Sequence, residues 1–317
     1  MIELPDEKWT PYVTVIGIGE LGVRVLLRLS EQQREDVKLC AIVSDKTQIA
    51  GHENRFSEVF VGDSETTEQQ SDFHHLIQNS IMFLVVADTT DAFSERMVSA
   101  ITATEQKYES YSCYCDRYAK RQQNIVSFAM LITPTGNEEQ GDYIHQTRAI
   151  YMTPDGLRRQ CEIQPELFAD EVGVIAEMAA GFANMLLLNV IFGLDVADIY
   201  FAFARSGKMT AVFGQGNTSE EAVDDLLLAA RNSVIDLKRG ELAVFSLSAA
   251  RMRLSVYEMN EAIEGFVNRI ERDTDSISGD SFTLLSAPFD DSLGDKVKIF
   301  AVFCERNEEK DEDILVK

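Results

Sequence analysis

Positive charge is scarce in this chain. Of 317 residues, 29 are lysine or arginine against 53 aspartate or glutamate, a net charge of −24. A surface this negative repels nucleic-acid phosphates and anionic lipid headgroups. Neither is an expected partner, and solubility and basic partners are favoured. Long apolar runs are missing too. The longest, Met185 to Leu194, has ten residues and includes Asn189, about half of what a membrane-crossing helix needs. The start, Met1 to Lys8, has neither the basic stretch nor the apolar run of a secretory leader. Five cysteines (Cys40, Cys113, Cys115, Cys161, Cys304) are an odd number without framework spacing, which points to reduced thiols in a cytoplasmic protein. Cys113 and Cys115 could hold a soft metal, but no second cluster completes four ligands. His74 and His75 are adjacent and have no third ligand nearby. No Walker-type Gly-Lys-Ser/Thr and no nucleophile elbow is present.

What is present is an ordinary globular composition, 45% hydrophobic and 26% charged, in a chain long enough for two domains. Tyr12 to Ile16 is a short β-branched run that suits a buried parallel strand. Gly17-Ile18-Gly19-Glu20-Leu21-Gly22 follows at once, and Val23, Leu26, Leu27 and Leu29 then recur at near-helical spacing. Further strands are predicted at Val37 to Val43, Ile81 to Val86 and Ile125 to Ile132. Strands alternating with helices predict a parallel sheet covered on both faces. A polar, tyrosine-rich helix over 103–124 and a loop over 134–143 are expected between strands. Glu166 to Val190 is apolar around its whole circumference, the pattern of a helix buried on all sides, and reads as a spine between two domains. Beyond it, Thr218-Ser219-Glu220-Glu221 has capping-box form, with Val223, Leu226, Leu227, Ala230 and Val234 on one helical face. Strands at Leu242 to Leu247, Phe282 to Leu285 and Val297 to Phe303, with a helix around Met259 to Ile270, predict a small sheet with helices on one side. The expected organisation is an N-terminal α/β domain (1–165), a central helix (166–194), a C-terminal α+β domain (195–304) and an acidic, frayed tail (305–317).

Four constellations could carry chemistry. In the glycine turn, Gly17 permits a tight turn, Gly19 lets a phosphate approach the backbone, and Gly22 allows close packing at the helix start, whose free N–H groups favour an anion. A tight strand-to-helix turn with no ligand is the plainer reading, and Glu20 favours it. Asp45, at the end of the second strand, stands where a dinucleotide enzyme binds ribose, or is a surface turn. Asp88-Thr89-Thr90-Asp91 follows the third strand, either lining a ligand crevice or capping a helix from near Ala92. Asp195 and Asp198, spaced i, i+3, share one side of a helical turn. They can polarise a water or hold a cation, or serve as helix-start acids.

Taken together and in this order, these segments resemble the FtsZ family of the tubulin superfamily over most of the chain. Val13 to Asp45 looks like the family's first strand, glycine turn and second strand. Asp195-Val196-Ala197-Asp198-Ile199 looks like its catalytic loop below the central helix. Gly214-Gln215-Gly216 with Glu220-Glu221-Ala222 looks like the lead-in to the second domain's first helix. The resemblance implies a Rossmann-like GTPase-type domain, a long central helix and a second α+β domain. It implies a cytoplasmic filament subunit that binds GTP or GDP with magnesium and contacts itself or another FtsZ-like subunit longitudinally. It also implies that Asp195 and Asp198 act on the neighbour's nucleotide. Gly193 stands where the family has an asparagine. The guanine-facing aspartate falls near Gly173, or at Asp170 with a small shift.

The chain departs from the family after the third strand. The glycines and threonines that wrap the phosphates are replaced by Asp88-Thr89-Thr90-Asp91-Ala92-Phe93-Ser94. Side chains block close approach there, and two carboxylates face the phosphate position. At about 5 Å and an effective dielectric near 20, each charge pair costs roughly 3 kcal/mol. Glu20 adds a third charge. The expected function is therefore a filament subunit, cap or scaffold with a degenerate nucleotide site. The alternatives are an active GTPase with an unusual phosphate loop, and an NAD-binding oxidoreductase. The second half shows no His, Tyr-Lys or Cys constellation for hydride chemistry.

Overall fold

The computed structural model describes residues 13–32, 36–62, 80, 82–101, 126–132, 149–187, 191, 194, 206–232, 240–253, 255–273 and 283–306. The chain starts as the glycine pattern predicts. Strand β1 (Val13–Ile18) runs straight into helix α1 (Gly19–Ser30), and β2 (Val37–Val43) pairs parallel to β1. Next come β3 (Glu58–Val61), β4 (Met82–Asp88), a helix over residues 92–101 (α2), β5 (Val126–Ile132) and β6 (Ala149–Met152). The strands from β1 to β6 are all parallel, in the spatial order β3-β2-β1-β4-β5-β6. β3 and β6 escape the sequence reading because each is only four residues long, too short for a periodic signal.

Burial follows strand alternation. Val13 and Val15 of β1 face one core, shared with α1, while Ile16 and Ile18 face another, shared with Phe93, Val98 and Ile101 of α2. The sheet is therefore covered on both sides, which is why its strands read as unbroken apolar runs.

Helices α3 (Pro154–Ile163) and α4 (Glu171–Leu187) follow. The spine helix starts five residues later than the sequence suggests. Asp170 explains this: its Oδ1 accepts the Gly173 N–H at 2.7 Å, a side-chain cap that fixes the start. Along α4, Val174, Ile175, Met178, Ala179, Phe182 and Ala183 are all buried, as a helix buried on all sides requires. Its Glu177 pairs with Lys298.

The second half comprises β7 (Ser206–Gly216), α5 (Ser219–Arg231), β8 (Gly240–Ala249), α6 (Val256–Asp273), β9 (Leu284–Ser286) and β10 (Val297–Arg306). β10 lies antiparallel between β7 and β8, and β9 runs parallel to β8. This mixed sheet joins the parallel one at one register pair, Ile150 with Met209. On β10, Ile299, Ala301 and Phe303 face α5 and α6, whereas Phe300, Val302 and Cys304 face the α4 side. Thr218 caps α5, its Oγ1 accepting the Glu221 N–H at 3.1 Å. The return bond of the capping box goes one residue further back, to the Asn217 N–H at 2.8 Å.

Gly214 belongs to β7 and lies under α5. A Cβ there would stand 2.0 Å from the Ala222 carbonyl oxygen and 2.6 Å from the Leu226 nitrogen. Both obstacles are backbone, so neither can swing aside. Gly214→Ala is expected to cost at least about 3 kcal/mol of stability or to yield insoluble protein. Urea unfolding checks it, and a loss under about 1 kcal/mol would show that the strand and helix separate freely.

The candidate helix at 103–124, the loop at 134–143, His74, His75, Cys113, Cys115 and residues 307–317 of the expected tail lie outside the described residues; the first two tail residues, Glu305 and Arg306, are not frayed but end β10, paired with β8 and β7. Among the described residues, Cys40, Cys161 and Cys304 form no disulfide. Burial, with Glu58 adding to it, pushes the Cys40 thiol up to about 12, so it stays a protonated core group at neutral pH. No helix among the described residues is long and apolar enough to cross a membrane.

Candidate functional site

The strand order reverses between β1 and β4. In an open parallel sheet, the crevice at such a point, outside the carboxyl ends of the strands, is where ligands bind. The sequence puts its glycine turn after β1 and its aspartate-threonine run after β4, so two of the four candidate constellations meet there.

Gly17 is the fifth residue of β1 and makes no turn. It pairs with Gly22: a Cβ on Gly17 would meet the Gly22 oxygen at 2.5 Å, and one on Gly22 would meet the Gly17 carbonyl carbon at 2.5 Å and the Val86 oxygen at 2.9 Å. These two glycines let α1 lie directly on β1 and β4. Ile18, buried, is the N-cap of α1 and offers no side-chain acceptor. The first N–H groups of α1 thus face the crevice without a side-chain cap. Gly19 has φ +68°, which favours glycine. Glu20 stands exposed in the first turn of α1.

The space beside Gly19 is filled from the neighbouring loop. A Cβ on Gly19 would fall 2.6 Å from Ser94 Oγ and 3.8 Å from Asp91 Oδ2. Ser94 is 2% exposed. Asp91 Oδ2 accepts both the Ser94 N–H at 2.9 Å and the Ser94 hydroxyl at 2.8 Å. The Asp91 carboxylate therefore caps α2 and sits against the start of α1 at the same time. A carboxylate near that position favours the positive end of the α1 dipole without hydrogen-bonding its N–H groups. Asp88 Oδ1 accepts the Thr90 N–H at 2.9 Å, tightening the loop. Thr89 is buried and Thr90 exposed.

Asp45 reaches the same upper edge from β2, but its Oδ1 accepts the Thr47 N–H at 2.9 Å and caps a short 3-10 turn over Lys46–Ile49. Asp170, the shifted candidate for a guanine contact, is committed to capping α4. Asp195 and Asp198 lie outside the described residues. Among the described residues, no group of three or more His, Cys, Asp or Glu side chains could hold a metal ion. Asp91 caps α2, as one of the two sequence readings of this run has it. That reading did not give the place of the Ser94 hydroxyl beside Gly19, a contact between segments far apart in sequence.

No protein-family model matches the chain. Residues of the chain are 31% identical over 99 positions to cell division protein FtsZ 2 of Pyrococcus furiosus, covering 31% of this chain and 24% of that protein. The corresponding protein of Thermococcus kodakarensis matches at 31% over 98 residues, or 30% and 23%. The matched segment thus spans about a quarter of those relatives' length. In three dimensions the likeness extends over nearly all of the chain. A point mutant of FtsZ from M. jannaschii superposes with a TM-score of 0.67 at 13% identity, over 94% of this chain and 92% of that one. An empty FtsZ dimer of the same organism gives 0.65 at 14%, over 94% and 89%. CetZ from Methanosaeta thermophila gives 0.59 at 13%, over 95% and 88%.

Proposed function

We propose that this chain, a divergent FtsZ/tubulin-like protein of cytoskeletal type, serves as a filament subunit, cap or scaffold whose own nucleotide site is closed. One observation carries this reading. The Asp91 carboxylate, bonded to Ser94, lies beside Gly19 at the start of α1, which supports the reading that an anionic ligand is disfavoured there.

The residues present do not fit a nucleoside triphosphate. A phosphate at that position meets the Ser94 hydroxyl against Gly19 and the carboxylates of Asp91 and Asp88. It finds helix N–H groups already engaged at α2. The family resemblance implies that Asp195 and Asp198 serve the opposite face, so the proposed role is one-sided: the chain stacks on a nucleotide-loaded FtsZ-like subunit and offers it these aspartates, but recruits no nucleotide-dependent neighbour above itself.

Calorimetric titration of the wild-type chain with GTP, GDP and NAD, each with magnesium, tests the closed site. No saturable heat is expected with any of them. Tight GTP binding would replace this reading with that of an active GTPase, and NAD binding would revive the dinucleotide reading. The partner role is tested by adding the chain to an FtsZ that polymerises with GTP. Filament length and GTP turnover are expected to change, and Asp195→Ala is expected to remove the effect on turnover. If neither quantity moves and Asp195→Ala behaves as wild type, the one-sided role is wrong.

A further inference from the structure

At the other end of α1, a cavity of about 180 Å³ opens between that helix, the beginnings of β1 and β2, and the middle of α4. Its floor is apolar: Val15, Leu29 and Leu39 on one side, Ala179, Ala180 and Ala183 of α4 on the other. All six are at least nine-tenths buried. The void exists because α4 presents only methyl groups here, whereas elsewhere along the helix Val174, Ile175, Met178 and Phe182 fill the core. Mostly apolar pockets with a few polar groups at the edge suit a small molecule with an apolar body and one polar end.

The rim is polar and carries a cation. Arg55 and Ser30 both line the mouth, and the Arg55 guanidinium makes one long hydrogen bond to Ser30 Oγ, at 3.4 Å. Among the described residues Arg55 has no carboxylate within ion-pair distance. Glu31, the residue just after Ser30, pairs with Arg28 at 3.5 Å. A guanidinium at the mouth of this pocket with no carboxylate partner among the described residues is notable in a chain with a net charge of −24. A guanidinium offers a planar fork of donors that matches a carboxylate.

We infer that this cavity is a binding site for a small monocarboxylate with an aliphatic tail, its chain on the alanine face of α4 and its carboxylate on Arg55. A pocket below the usual drug-sized range limits the tail to a medium length. The cavity lies at the strand amino ends, away from the glycine turn, so it is independent of whether a nucleotide binds.

Octanoate and its neutral counterpart 1-octanol are the probes, titrated against the full chain and followed by ligand-observed NMR. Wild type is expected to bind octanoate saturably and at least about tenfold more tightly than octanol, the discrimination of a charge-assisted contact. Arg55→Gln, an exposed substitution, is expected to bring octanoate down to the octanol level. Ala180→Leu fills the void and is expected to abolish both. If that variant does not fold, Ala183→Val fills part of the same space. The inference is overturned if octanoate shows no saturable binding, if octanol binds equally well to wild type, or if Arg55→Gln leaves octanoate affinity unchanged.

Discussion

Phe213→Ala is expected to lower the free energy of unfolding by about 3–5 kcal/mol. Phe213 is fully buried on β7 and stacks on Phe300 of β10, ring centroids 5.2 Å apart. Phe300 meets Phe182 of α4 edge-on at 5.1 Å, and Phe213 meets Phe168 edge-on at 5.6 Å. The four rings form one chain that locks the central helix to the second sheet. Gly181 makes the fit close, since a Cβ there would lie 3.0 Å from the Phe300 ring. Removing Phe213 leaves a cavity that these neighbours cannot close, because the rings on each side are anchored to different elements. Its backbone oxygen also accepts the Gln164 Nε2 donor at 2.7 Å, a bond the substitution spares, so the loss reports the ring's packing together with its contact to the Lys298 ammonium, 5.7 Å from the ring centroid. Urea unfolding followed by circular dichroism measures it. A loss under about 1.5 kcal/mol with an unchanged m-value would mean that the two halves of the sheet are not held by this stack.

The double substitution Asp88→Asn and Asp91→Asn is expected to raise the affinity for GTP or for inorganic pyrophosphate by at least about tenfold. Each carboxylate about 5 Å from a phosphate charge costs between roughly 1 kcal/mol in bulk-like water and roughly 3 kcal/mol at an effective dielectric of 20. Asp91 is exposed, so its term belongs nearer the lower figure. Two such terms exceed the 1.4 kcal/mol that makes a factor of ten. Asparagine keeps the shape and can still accept the Ser94 and Thr90 N–H bonds that Asp91 and Asp88 accept now, so the loop is expected to survive. Calorimetry on wild type and variant side by side decides the matter. If the variant binds no better, charge is not the barrier, and the Ser94 hydroxyl lodged beside Gly19 is. Ser94→Gly then becomes the variant expected to open the site.

Much of the fold was legible in the residue pattern. The β-branched run before Gly17, the glycine spacing and the wholly apolar stretch of the central helix each dictate a local structure that packing could not overrule. The alternating runs on β8 and β10 were legible for the same reason. The positions of the glycine turn, Asp45 and the Asp88 to Asp91 run at strand and helix ends also followed from sequence. Their chemistry did not. Gly17 looked like a turn residue and is a strand residue that must lie on Gly22. Gly19 looked like an opening for phosphate, and Ser94 fills it.

By itself the sequence determined that this is a parallel α/β domain joined by a buried helix to a second, mixed sheet. Periodicity and glycine placement act through neighbours in the chain, and such neighbours are written side by side. Only the tertiary structure decided that Asp91 lies against the start of α1, that Phe168, Phe182, Phe213 and Phe300 touch, and that three alanines leave a void beside Arg55. Each of these joins segments far apart in sequence. Contact across that distance depends on how strands order themselves in the sheet, which no local pattern encodes.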